Sequence, residues 1–124
     1  IEKLPFKDET FDLVISNGVI NLCPNKNIAF KEIGRIIKKN GRLAISDIVT
    51  EKQLTEGITC NANLWASCIG GAEQQDKYKK AIEAGKMQIV KIKQNPQYQF
   101  LSESAQGASK DFGVKSMSLL AIKK

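Results

Sequence analysis

Two apolar runs separated by one helical segment constrain this chain more than any other feature. Phe11 to Ser16 (FDLVIS) follows the polar turn Lys7-Asp8-Glu9-Thr10 and is almost continuously apolar, the pattern of a parallel strand covered on both faces. Leu43 to Val49 (LAISDIV) begins a second such strand. Between them, Asn25 to Lys39 places Ala29, Ile33, Ile36 and Ile37 at helical spacing, with Asn25 as N-cap after Pro24. Lys38 and Lys39 suit the negative end of the helix dipole, and Asn40-Gly41 supplies a left-handed stop. The unit is strand-helix-strand with a right-handed crossover.

Further along, the pattern predicts a short helix over Asn63 to Ile69 before Gly70-Gly71, a longer one over Glu73 to Ala84 with Gly85 as its stop, and a strand over Met87 to Ile92. Ser102 to Phe112 reads as a helix capped by Ser102 and stopped by Gly113, and Val114 to Ile122 as a closing strand. The order predicts an α/β layer in one domain spanning residues 1–124, with no repeat and no linker. Four strands leave an edge at Phe11 to Ile15 that a further strand is expected to cover. Left open, that edge is expected to aggregate, swap segments or form a homo-oligomer.

Composition removes several functions. The 124 residues include no His, which excludes an imidazole base or ligand and every Ser-His or Cys-His pair within the chain. Cys23, Cys60 and Cys68 contain no CxxC and are odd in number, against a zinc ribbon or a closed disulfide framework. The net charge of +6 comes from scattered residues with only 6% aromatics, so no specific nucleic-acid site is expected. No apolar run approaches the roughly 20 residues of a membrane span, and the cytoplasm is the expected address. A chain that starts at Ile1 in a mixed apolar and charged segment is expected to be the interior of a longer polypeptide.

Several strings carry a resemblance. Leu4-Pro5-Phe6-Lys7-Asp8-Glu9-Thr10-Phe11-Asp12-Leu13-Val14, and Phe30-Lys31-Glu32-Ile33-Gly34-Arg35-Ile36-Ile37-Lys38 followed by Asn40-Gly41-Arg42-Leu43, resemble the fourth strand, following helix and fifth strand of class I S-adenosylmethionine-dependent methyltransferases. Ser16-Asn17-Gly18-Val19-Ile20-Asn21-Leu22, Ile45-Ser46-Asp47-Ile48-Val49, Leu64-Trp65-Ala66-Ser67-Cys68-Ile69-Gly70-Gly71-Ala72 and Phe112-Gly113-Val114-Lys115-Ser116 narrow it to arsenite methyltransferases. The resemblance implies a Rossmann-like sheet of seven strands. This chain would hold the last four, parallel except for a final antiparallel one, and the amino-terminal strands would be missing.

It also implies an incomplete site for S-adenosylmethionine. The glycine-rich loop and the ribose-binding acid of the family have no counterpart here, and an isolated fragment is expected to be inactive. The adenine side would come from Ile1 and Glu2, and backbone beyond the first strand from Asn17, Gly18 and Val19, at the carboxyl end of a strand where α/β sheets bind ligands. The acceptor would be arsenite, with a thiol reductant. Cys68 falls at one of the family's arsenic-binding cysteines, and Gly18 stands where the family has another. Soft thiolates suit trivalent arsenic, and the in-line transfer of a methyl group needs alignment rather than an acid-base pair. Cys23 and Cys60 are weaker candidate ligands that fit buried structural thiols equally well. Asp47, at the end of a strand, fits an active-site position, a turn or a helix cap equally well. Two other readings remain open: a methyltransferase for another small molecule, of the quinone or sterol type, and a noncatalytic dimerisation module.

Overall fold

A computed structural model describes residues 2–55, 71–96 and 103–124, with backbone alone at 103–105, 108 and 109. The elements are β1 (Phe11–Asn17), a 3-10 turn (Ile20–Leu22), α1 (Lys26–Ile36), β2 (Ile37–Thr50), β3 (Glu73–Gln74), α2 (Gln75–Ala84), β4 (Met87–Gln94), α3 (Glu103–Phe112) and β5 (Lys115–Lys123). The main path of the sheet runs β1-β2-β5-β4, with the short β3 also paired to β2. β1 and β2 are parallel, and β5 enters between β2 and β4 antiparallel to both. The closing strand therefore has the antiparallel sense expected of it.

Side-chain alternation along the inner strands decides where the core lies. Leu43, Ile45 and Val49 of β2 and Met117, Leu119 and Ala121 of β5 are buried together with Phe30 and Ile33 of α1 and Tyr78 and Ile82 of α2. The Phe30 and Tyr78 rings meet edge to face at 5.3 Å. On the opposite face, Ala44, Ser46, Ser118 and Leu120 are only half-buried. β1 was expected to be covered on both faces, yet Leu13 is 55% and Ile15 74% exposed. Among the described residues the strand is paired on one side only, by β2.

Helix ends show where local signals were overridden. The Asn25 side chain caps α1, accepting from the Ile28 amide at 3.1 Å, as its position predicts. The helix stops at Ile36 rather than Lys39, because Ile37 turns extended and pairs with Phe11. Between the pairs Phe11/Ile37 and Leu13/Arg42 the register advances two residues on β1 and five on β2, so Lys38 to Gly41 bulge out of the ladder. Asn40, at φ 68°, serves that bulge and not a helix stop. Glu73 and Gln74 likewise leave the expected helix to pair with Val49 and Thr50. Gln74 then caps α2 by accepting from the amides of Asp76 and Lys77. Gly85 follows α2 at φ −80°, and Lys86 takes the positive φ expected there of a glycine. Gly113 does end α3 at φ 65°; the expected Ser102 cap and the helix at Asn63 to Ile69 lie outside the described residues.

Arg35 fastens the segment before β1 to α1. Its guanidinium donates to the Phe6 carbonyl at 2.7 Å, the Leu4 carbonyl at 3.1 Å and the Asp8 carboxylate at 2.8 Å, and it also pairs with Glu32. The hydrogen bond from Arg35 holds the Glu32 carboxyl below its ordinary range, helped by the Leu4 amide.

Close backbone approach explains Gly85 better than conformation does. A Cβ on Gly34 would lie 2.1 Å from the Gly85 carbonyl oxygen, and one on Gly85 would lie 2.4 Å from the Phe30 carbonyl oxygen. Gly34→Ala is therefore expected to force α1 from the end of α2 and cost about 1–3 kcal/mol, read as a lower urea midpoint. Gly107→Ala, where an added Cβ meets nothing within 4 Å, should stabilise α3 by up to about 1 kcal/mol in the same assay.

Candidate functional site

The chain leaves β1 through Gly18 at φ 76°, a left-handed conformation that favours glycine, and the Gly18 amide donates to the Ser46 carbonyl at 2.9 Å. Asn17 and Val19 on either side are exposed, and Gly18 is half-buried. The 3-10 turn follows, closed by Leu22 N–H to the Val19 carbonyl at 3.0 Å and Cys23 N–H to the Ile20 carbonyl at 2.9 Å.

Beneath that turn sits a buried polar cluster. Asp47, near the carboxyl end of β2, is 4% exposed and accepts from the Tyr78 hydroxyl at 3.0 Å and the Ile48 amide at 3.0 Å. The Asn21 backbone also hydrogen-bonds this carboxylate, while its side-chain amide donates to the Ile48 carbonyl at 2.7 Å. Lys26 in the first turn of α1 is 7% exposed, and its ammonium donates to the carbonyls of Cys23 at 3.2 Å and Asn21 at 3.5 Å. Burial pushes the Asp47 carboxyl and the Tyr78 phenol up and the Lys26 ammonium down, each toward its neutral form.

The structure distributes the sequence candidates unevenly. Asn17, Gly18 and Val19 are contiguous at the strand end, whereas the exposed Glu2 accepts from the Asn25 amide at 3.2 Å, at the start of α1. Cys23 is buried, its Sγ 4.0 Å from the Val19 carbonyl, and burial pushes its thiol up, which disfavours the thiolate that a soft metalloid would need. Ile1, Cys60, Trp65 and Cys68 lie outside the described residues. Among the described residues, no group of three His, Cys, Asp or Glu side chains could hold a metal ion, and no helix is long and apolar enough to cross a membrane.

Asp47 takes a place inside the cluster rather than in a turn. The sequence reading singles out none of Asn21, Lys26 and Tyr78 as a site residue, and the structure brings all three to this cluster. The signal for Lys26 was its spacing: it precedes Ala29, Phe30 and Ile33 by three, four and seven residues, which puts it on the apolar stripe of α1.

A sheet in which β5 enters antiparallel between β2 and β4 has the strand arrangement of part of a Rossmann-like methyltransferase sheet. Residues 1–86 match the family described as methyltransferase domain, and the chain belongs to that family. It is 44% identical over 75 residues to arsenite methyltransferase from Homo sapiens, an alignment covering 58% of this chain and 20% of that protein. It is 33% identical over 92 residues to arsenite methyltransferase from Halobacterium salinarum, covering 74% and 24%. A crystal structure of an arsenic(III) S-adenosylmethionine methyltransferase from Chlamydomonas reinhardtii superimposes with a TM-score of 0.72 at 22% identity, over 97% of this chain and 40% of that one, a likeness of fold. The chain thus spans about a fifth of the length of the human relative it matches.

The Asp47 pKa gives a signed test. A carboxyl raised in the native state contributes stability that is fully present below its unfolded pKa and is lost as pH rises through its native one. Wild-type urea midpoints should therefore fall relative to Asp47→Asn across that window. Tyr78→Phe, which removes a donor to the ionised carboxylate, should extend the window upward and cost about 1–3 kcal/mol at neutral pH.

Proposed function

We propose that this chain is part of an S-adenosylmethionine-dependent methyltransferase that methylates arsenite held by cysteine thiolates. The observation that carries the reading is the 33% identity to an arsenite methyltransferase across 74% of the chain. The backbone at Asn17, Gly18 and Val19 fits a donor-side contact, since the positive φ of Gly18 turns the chain away from the strand end and leaves Asn17 and Val19 exposed. When bound, S-adenosylmethionine supplies an electrophilic methyl group on sulfur. The chain's own part is to align an acceptor with that group and exclude water, which requires no general acid or base and accords with a sequence that lacks His.

Cys68 is the candidate ligand for the trivalent arsenic, with Cys60 next; the neutral, buried thiol of Cys23 ranks last. Ile1 and Glu2 are candidates for the adenine side. One observation favours a second acceptor class: Gly18 occupies, by resemblance, the place of a family cysteine and adopts φ 76°, where a cysteine would be strained. A methyltransferase for a quinone- or sterol-type small molecule is the alternative on that ground.

Full-length protein incubated with S-adenosylmethionine, arsenite and a thiol reductant should yield methylated arsenicals, separated by chromatography and counted as arsenic. Cys68→Ala should abolish the product and also remove arsenite-dependent quenching of Trp65 fluorescence. No arsenic binding and no methylated arsenical in the wild type, with methylation of a phenolic or isoprenoid acceptor instead, would establish the alternative.

A further inference from the structure

Five described polar side chains are buried: Asn21, Lys26, Asp47, Thr50 and Ser116. Thr50 and Ser116 have local partners, the Lys52 carbonyl at 2.7 Å and the Asn95 amide at 3.1 Å. The other three converge on one short stretch of backbone, residues 18–23, that includes two of the three residues assigned to the donor side.

The connections run in one direction. The Lys26 stem lies on the buried side of α1 and its ammonium faces two carbonyls of the same turn, those of Asn21 and Cys23. Asn21 is fixed in turn to the end of β2 through the Ile48 carbonyl and the Asp47 carboxylate, and Asp47 is fixed to Tyr78 of α2. The Gly18 amide bonds to Ser46 on the same strand. An ammonium in an apolar stripe is costly unless its protons are directed at acceptors, and here the acceptors belong to the turn whose shape fixes the exit from β1.

We propose that Lys26 is a positioning residue for the donor site: through Asn21, and with Asp47 and Tyr78 behind it, it clamps the 18–23 turn so that the backbone of Asn17, Gly18 and Val19 is held ready for the donor. The inference rests on the reading of those three residues as donor contacts. It adds a cationic clamp that does not itself touch the reacting atoms. Lysine suits the task because a compact ammonium can direct separate protons at the two carbonyls of Asn21 and Cys23, whereas the planar fork of arginine is matched to a carboxylate.

The test uses full-length protein, with S-adenosylhomocysteine as the probe in calorimetry and amide hydrogen exchange as the second readout. Lys26→Met keeps the length of the side chain and removes the ammonium. It is expected to weaken binding about tenfold and to speed exchange at residues 18–23 while β2 residues 43–49 keep their protection. Lys26→Arg should fall between Lys26→Met and wild type in both readouts, and it carries the test by itself if Lys26→Met does not fold. Binding within about twofold of wild type, or exchange that accelerates equally in β2 and the turn, overturns the clamp. Wild-type protein that fails to bind the probe refutes the donor reading, and the exchange pattern still decides whether Lys26 holds the turn.

Discussion

The fourteen residues of β2 carry hydrogen-bond ladders on both edges, parallel to β1 on one side and antiparallel to β5 on the other. The rest of the described structure depends on that double pairing. It orients Leu43, Ile45 and Val49 toward α1 and α2, and it brings β4 into the sheet through β5. It also delivers Asp47 to the strand end, on the core face and under the turn that leaves β1. The packing of α1 against the end of α2 is then limited by backbone alone, with Gly34 and Gly85 admitting no side chain between the helices.

A turn at a strand end of an open α/β sheet faces a conflict between burial and polarity. In the 18–23 turn Val19 and Leu22 are exposed while Ile20 and Asn21 are fully buried. Lys26, Asn21, Asp47 and Tyr78 resolve the conflict by giving the buried underside a connected set of hydrogen bonds. Burial raises the Asp47 and Tyr78 pKa values and lowers that of Lys26, and directed hydrogen bonds connect the members of the cluster to one another and to the turn. Its elements converge from β2, α1, α2 and the turn itself, which makes the local geometry sensitive to every one of them.

Much of this architecture was legible before any coordinates. The apolar runs located β1 and half of β2, the helical spacing located α1, and Asn25 announced its own cap because an Asn side chain satisfies a free amide wherever a helix begins. The misplacements have one physical origin. Ile37, Glu73 and Gln74 carry acceptable helical signals, but each gains a partner strand, Phe11 for the first and Val49-Thr50 for the other two, and ladder pairing outweighs a weak local propensity. Asn40 kept its left-handed backbone while its role changed from a helix stop to a bulge.

The candidate site divides along the same line. Sequence alone removed imidazole chemistry from this chain, by lacking His, and placed the contiguous residues Asn17, Gly18 and Val19 at a strand end, because chain neighbours stay neighbours in any fold. Only tertiary structure decided that Cys23 is buried with its thiol pKa pushed up, that Glu2 is engaged at Asn25, and that Lys26 and Tyr78 meet the same polar cluster from different helices. Those outcomes depend on which faces of β2, α1 and α2 pack together, and desolvation and hydrogen bonding act only once that packing has excluded water.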